Sequence, residues 1–155
     1  LFEDALLAFD STPLSAQTLL FPEILEFSTD EYSVLLDILP YLEKLGFRMK
    51  ENGQNKILLE AIPSDMGWGN ENSVIRDIID HYVANREKSS SYVENLAASF
   101  ACHAAVKAGD SLTIEEMQVL VNRLFATKHP YYCPHGRPII VQLSLEELDQ
   151  RFERT

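Results

Sequence analysis

The chain has 155 residues, 46% of them hydrophobic and 24% charged, the balance of an ordinary soluble globular protein of one compact domain or two small lobes. With 24 acidic and 13 basic residues the formal net charge is −11. Such a surface repels phosphates, so the chain is not expected to grip nucleic acid without a bound cation, a local basic patch or a partner domain. No apolar run approaches the roughly 20 residues that span a bilayer, and no basic start followed by an apolar core marks a signal peptide. The opening residues Leu1-Phe2-Glu3-Asp4 contain no Met, so the chain is expected to begin inside a larger protein or its true start is not shown. Cys102 and Cys133 are its two cysteines, expected as reduced thiols and as open to a metal role as to a disulfide.

In chain order, residues 1–9 read as the end of a helix. Ser15 to Phe21, bounded by Pro13 and Pro22, reads as a strand, and Glu23 to Phe27 as a second one. Four helix starts show Ser or Thr with Glu three residues on: Ser28 and Glu31, Ser91 and Glu94, Thr113 and Glu116, Ser144 and Glu147. The first opens a helix with Tyr32, Leu35, Leu36, Leu39 and Leu42 on one face. Pro40 is expected to kink that helix, and Gly46 to stop it. Phe47–Lys50 and Lys56–Ile62 predict a hairpin around Glu51-Asn52-Gly53. Val74, Ile75, Ile78, Ile79, Tyr82 and Val83 predict another amphipathic helix, ended by a polar break at residues 86–90. The helix opened by Ser91 is expected to run to Gly109, and another to cover Ile114–Phe125. A short strand over Pro138–Leu143 and a last helix ending near Arg154 close the chain. The fold class expected is α+β in two lobes. Residues 1–27 and 91–155 would form a mixed lobe, and residues 28–90 an inserted, mainly helical lobe with a small hairpin.

Cys133-Pro134-His135 sets a thiol and an imidazole two residues apart, in a turn held by Pro134, Gly136 and Pro138. Both groups are good ligands for zinc or a similar ion, although two ligands do not make a site and the spacing alone is more often that of a chance pair in a loop. Cys102 is a possible third ligand, or a small apolar residue in a helix core. His103 must point to a different helix face from Cys102, and His81 and His129 have no supporting constellation. A Cys-His hydrolase is a further reading, but nothing local marks an orienting Asp or Asn or an oxyanion hole. The six glycines form no phosphate-binding pattern.

Cys133-Pro134-His135-Gly136-Arg137-Pro138 resembles the Cys-Pro-His-Gly-Arg-Pro motif of MutL proteins that carry an endonuclease. Ala101-Cys102 is similar to that family's Ala-Cys-Arg or Ala-Cys-Lys, with His103 in place of the basic residue. Phe152-Glu153-Arg154 is similar to its terminal Phe-x-Arg, and Ala108-Gly109-Asp110 with Glu115-Glu116-Met117 also resembles the family. The family's acidic motif, Asp-Gln-His-Ala-x-x-Glu-x-x-x-x-Glu, is represented only by its last Glu, placed at Glu3. The remainder would lie upstream of Leu1, so the chain as given is expected to be a poor nuclease. Gln17-Thr18-Leu19-Leu20-Phe21-Pro22 is similar to the Gln-x-x-apolar-x-Pro peptide by which this family contacts the replication sliding clamp; the bland alternative is an edge strand ended by proline.

The resemblance implies the dimerisation and endonuclease part of a DNA mismatch repair protein, cytoplasmic and nucleoid-associated. The intact parent would nick the daughter strand with manganese or zinc. Cys102, Cys133, His135 and Glu3 would be metal ligands, and Arg137 and Arg154 would meet DNA phosphate or pair within the fold. Gln17, Leu19, Leu20 and Pro22 would bind the clamp. Implied partners are a second copy of the chain, the clamp, DNA and the mismatch-recognition protein. The rival reading is a non-catalytic dimerisation and recruitment module with at most a structural zinc site.

Overall fold

The computed structural model describes residues 1–66, 71–85, 91–134 and 136–154, Asn85 by its backbone alone. Among these lie six helices and three strands: α1 (Phe2–Asp10), β1 (Ala16–Glu26), α2 (Thr29–Lys44), β2 (Arg48–Glu51), β3 (Lys56–Pro63), α3 (Glu71–Asn85), α4 (Tyr92–Ala104), α5 (Ile114–Phe125) and α6 (Leu145–Arg151). The class is mixed α and β. Two compact units are present, Leu1–Ala108 and Gly109–Thr155. Within the first unit β1 pairs with β3, so residues 16–26 share a sheet with residues 56–63.

Each expected helix start is a cap. The side-chain oxygens of Ser28, Ser91, Thr113 and Ser144 accept the backbone N–H three residues on. For α2, α5 and α6 the Glu reaches back to the cap N–H, at 2.7, 2.8 and 2.9 Å, so two orphan donors are satisfied at once. α2 contains Pro40 and still runs to Lys44, since the loss of one donor leaves the neighbouring helical bonds intact. It stops as expected at Gly46. The Phe47 N–H donates to the Leu42 carbonyl at 3.0 Å and the Gly46 N–H to that of Glu43 at 3.1 Å, with Gly46 at φ +97°. This is the paired bonding of a Schellman cap, and Leu42 and Phe47 are both buried beside it.

The antiparallel sheet has the order β1-β3-β2. Ile57, Leu59 and Ala61 on its central strand are fully buried. The hairpin turn is longer than Asn52-Gly53 alone: Gly53 and Asn55 both adopt positive φ, and the Asn55 carbonyl accepts from Phe27 N–H at 2.9 Å. The two strands expected before and after Pro22 are one strand, β1. Ala16, Gln17 and Thr18 pair with Pro63, Ile62 and Ala61, and Glu23 pairs with Leu59. Residues 19–22 therefore stand opposite Glu60 alone, in a wide bulge. Pro22 sits where no ladder donor is required, which is why it does not end the strand.

α1 packs on α4 and α2, and α3 on α4 and α2. Ala5, Phe9, Ile75, Ile78, Leu96, Ala97 and Phe100 join the sheet residues in one core. Arg76 stitches α3 to the start of α2. Its guanidinium stacks over Phe27 at 4.8 Å, donates to Glu31 at 2.9 Å and to Asn72 at 2.8 Å, and also meets the Glu26 carbonyl.

Three expectations need correction. α4 ends at Ala104 rather than near Gly109, because Ala105 turns to an extended backbone. Residues 138–143 form no strand: Pro138 makes only an isolated bridge to Tyr132, and without a partner a run of apolar residues cannot complete a ladder. The last helix stops at Arg151. The polar break expected at residues 86–90 lies outside the described residues.

Gly46→Ala is expected to destabilise the protein by about 2–4 kcal/mol in urea unfolding. The φ is unfavourable for any L side chain, and the added Cβ would stand 3.0 Å from the Ser15 carbonyl oxygen and 3.2 Å from Pro63 Cα. A second expectation concerns acid. The Ser28 N–H, then the Ser28 hydroxyl and Arg76, hold the Glu31 carboxyl below its ordinary value of 4.5, against a smaller opposing effect of burial. A carboxyl with a depressed folded-state pKa stabilises above its unfolded value, and that contribution is lost as pH falls through the folded value. Glu31→Gln is therefore expected to flatten the fall in unfolding free energy below about pH 4.5, as read from urea midpoints.

Candidate functional site

In the first unit, Glu3 lies in the first turn of α1, half-buried, where a carboxylate suits the positive end of the helix dipole. Cys102 lies on α4. That helix buries Leu96, Ala97, Phe100 and Ala104, and Cys102 falls on the opposite side, exposed. Of the two readings open for it, a small residue filling the core is thereby removed. His103 turns the other way, as helix geometry requires, and its Nδ1 lies 3.4 Å from Asp77 Oδ2 on α3. This counts as an ion pair only when the ring is protonated. Burial lowers the His103 pKa, and the Asp77 carboxylate opposes that shift.

Sequence reasoning left His81 without company, and the structure supplies it. His81 Nδ1 is 2.6 Å from Ser99 Oγ, and its ring packs edge-on to that of His103 with centroids 5.6 Å apart. Ser99 is fully buried and its hydroxyl donates to the Asn95 carbonyl at 2.8 Å. The Asn95 amide in turn donates to the Tyr82 carbonyl at 3.0 Å. Ser99 therefore accepts from His81, which places the proton on Nδ1. The signal was present as two i,i+4 pairs, Asp77 with His81 and Ser99 with His103, on helices that pack together.

In the second unit, Cys133 is half-buried in a tight turn. Its N–H donates to the Arg137 carbonyl at 2.8 Å, and its carbonyl accepts from Gly136 N–H at 2.9 Å. The Tyr131 carbonyl accepts from Ile139 at 2.8 Å and closes the base. Gly136 has φ +76°, a conformation that glycine adopts without strain. Pro134 and Gly136 thus present the Cys133 thiol from a fixed backbone. Arg137 and Arg154 are exposed, as is His129. His135 lies outside the described residues. Among the described residues no group of three or more His, Cys, Asp or Glu is placed to hold a metal ion.

The clamp-like peptide lies on β1. Leu19 is buried in the core, Leu20 and Phe21 are 82% and 80% exposed, and Pro22 is exposed. Gln17 is half-buried, and its amide Nε2 donates to the Met66 carbonyl at 3.0 Å and the Pro63 carbonyl at 3.4 Å.

The second unit holds a different feature. No described residue between 109 and 154 is buried. Ile114, Met117, Leu120, Val121 and Phe125 form a stripe along α5, at 47% to 79% exposure.

The family model for the MutL C terminal dimerisation domain matches residues 1–112. This chain belongs to that family. It is 40% identical over 155 residues to a protein of Chlorobium phaeobacteroides (strain BS1) named DNA mismatch repair protein MutL, covering 99% of this chain and 25% of the relative. Relatives of the same name in Chlorobium chlorochromatii (strain CaD3) and Chlorobium limicola (strain DSM 245 / NBRC 103803 / 6330) are 41% and 40% identical. They cover 99% and 100% of this chain, and 24% and 25% of their own length. The chain thus spans about a quarter of the curated MutL proteins it matches. Among the described residues no helix is long and apolar enough to cross a membrane.

Exposure sets the order of thiol reactivity within this MutL domain. In the native protein one thiol is expected to react quickly with a disulfide reagent and one slowly, and Cys102→Ser is expected to remove the fast phase. Loss of the slow phase instead would place Cys133 at the surface and Cys102 inside.

Proposed function

We propose that the domain makes a homodimer through the apolar face of α5 and serves DNA mismatch repair within its full-length protein. The exposed stripe of the second unit carries this reading. A unit with that many large apolar groups and no buried described residue leaves them in water unless another surface covers them. The family model that matches residues 1–112 is described as a dimerisation domain, and the likeness to the MutL relatives continues over α5, which favours a second copy as that surface. The division of labour proposed is a dimerisation lobe drawn from residues 1–27 and 91–155 and a regulatory lobe of residues 28–90, with β1 paired to the regulatory sheet.

The second part of the proposal is metal-dependent nicking of the daughter strand by the intact parent. Cys102, exposed, and Cys133, half-buried, each carry a thiol of the kind that suits a borderline ion such as zinc, and His135 adds an imidazole. Glu3 supplies an oxygen donor, the kind of ligand manganese prefers. A bound divalent ion supplies Lewis acidity and a water of lowered pKa for phosphodiester hydrolysis. The residues of this chain would hold the ion, while Arg137 and Arg154 meet phosphate. The sliding clamp, taken through Gln17, Leu20 and Pro22 with Leu19 as the core anchor, and the mismatch-recognition protein would bring the acidic domain to DNA.

The full-length protein tests both parts. Leu120→Asp with Val121→Asp is expected to convert dimer to monomer in sedimentation equilibrium, with the helical circular dichroism retained. Cys133→Ala is expected to leave the dimer intact and lower manganese-dependent nicking of supercoiled plasmid by about 10- to 100-fold. A protein that stays dimeric with both aspartates, or nicks normally without Cys133, removes the corresponding part. Full dimerisation with no nicking by the unaltered protein would favour the non-catalytic recruitment module.

A further inference from the structure

The Gln17–Pro22 peptide is presented unevenly. Leu20, Phe21 and Pro22 project from a bulge whose backbone is opposite Glu60 alone, so a partner reaches them without disturbing the sheet. Gln17 stands three residues earlier in regular pairing, opposite Ile62, with Thr18 opposite Ala61 and Ala16 opposite Pro63. A primary amide carries two N–H donors. Those of Gln17 are directed at the Met66 and Pro63 carbonyls, so they are not available to a polar notch on another protein. The Ser64 N–H, which donates to the Ser15 carbonyl at 2.9 Å, holds the same corner closed from the backbone side. Leu19, 6% exposed and part of the core, divides the projecting half from the held half.

We infer that this peptide is latched: a sliding clamp takes Leu20 to Pro22 from the closed form, and full engagement requires Gln17 to leave the Met66 and Pro63 carbonyls as Ala16–Thr18 unpairs from Ala61–Pro63. This inference rests on reading Gln17–Pro22 as the clamp-binding peptide. The closed form offers half of the recognition site, and the turn that follows β3 controls access to the other half. Anything that steadies Ser64 to Met66 weakens recruitment, and anything that loosens that turn strengthens it, with no change in the peptide itself. The bulge makes this release local. The register is already broken between Thr18 and Glu23, so opening residues 16–18 leaves the pairs from Glu23 to Glu26 in place.

A redox staple tests the latch. Thr18 and Ala61 are register partners, and antiparallel partners stand about 4.5–5.5 Å apart at Cα, within the range of a disulfide. The protein carrying Thr18→Cys and Ala61→Cys is titrated with the purified sliding clamp of the same organism, oxidised and then reduced. Thr18→Cys alone serves as the oxidation control. The oxidised staple is expected to bind about tenfold more weakly than the reduced one, the worth of one or two hydrogen bonds. It should match reduced Gln17→Ala, and adding Gln17→Ala to the oxidised staple should change nothing further. Equal binding by both forms, with Gln17→Ala still weakening it, would overturn the latch while leaving the peptide as the clamp site. If neither Gln17→Ala nor Leu20→Ala affects clamp binding, the peptide reading fails and the latch fails with it. Hydrogen exchange on the unaltered protein gives the same answer without a variant. Backbone amides of residues 15–18 are expected to exchange faster when the clamp is bound, and unchanged or slower exchange there overturns the inference.

Discussion

The close approach of backbones at Gly46 is the constraint on which the first unit depends. α2 packs against both α1 and α3 and leads directly into β2, so it joins the helical layer to the sheet. The chain must reverse between Lys44 and Arg48 in a space bounded by the Ser15 and Leu14 carbonyls and by Pro63. Only a residue without Cβ fits there, and only one tolerant of positive φ lets the Leu42 and Glu43 carbonyls find their donors. The same corner holds the start of β1 and the end of β3, where Leu14 N–H donates to the Lys44 carbonyl and Ser64 N–H to that of Ser15. A helix cap, a strand entry and the Gln17 amide are therefore parts of one packed corner. A disturbance at any of them is felt by the others.

The second unit is built on a different principle. Its local order is set by short-range bonds: two complete capping boxes, a glycine turn at Gly136 and an isolated bridge at Pro138. None of these buries apolar area. Two packed layers around a core are the usual source of domain stability, and the α5 stripe is one such layer. Caps contribute about 1 kcal/mol each, which orders a helix end but does not replace a core. The physical logic of this unit thus runs from sequence to local structure and then to association.

Local signals were the most legible in the sequence. The four Ser or Thr caps, Gly46, and the periodic apolar residues of α2 and α3 each act within a turn or two of the chain, and they appear where the residues placed them, except that Leu36 and Val83 at the margins of the two apolar faces are exposed. Pairing was less legible. Pro22 looked like a strand end because proline removes a ladder donor; the bulge that excuses it depends on β3, some 38 residues away. Pro138–Leu143 read as a short strand, but an apolar run forms a ladder only beside a partner. Of the candidate site residues, sequence found the Cys133 turn and placed Cys102 on a helix, yet could not say which side of α4 faced the core. His81 was passed over because its companions, Ser99 and His103, come from another helix.

Charge bears on how such a domain reaches DNA. Residues 1–108 hold 17 of the acidic and 8 of the basic side chains, whereas residues 109–155 hold 7 and 5. The phosphate repulsion expected from a net charge of −11 is thus concentrated in the unit that carries β1 and its Gln17–Pro22 segment. Arg123, Lys128, Arg137, Arg151 and Arg154 all belong to the other unit and are exposed. Screening at physiological salt limits such effects to roughly 8 Å, so what a phosphate meets is local charge rather than the sum. An acidic unit that would recruit a clamp on the proposed reading, and a nearly balanced unit that would meet phosphate, are therefore compatible in one chain. On that proposal the first need not bind DNA, because tethering to a clamp already on DNA would raise the local concentration of the second without any new phosphate contact.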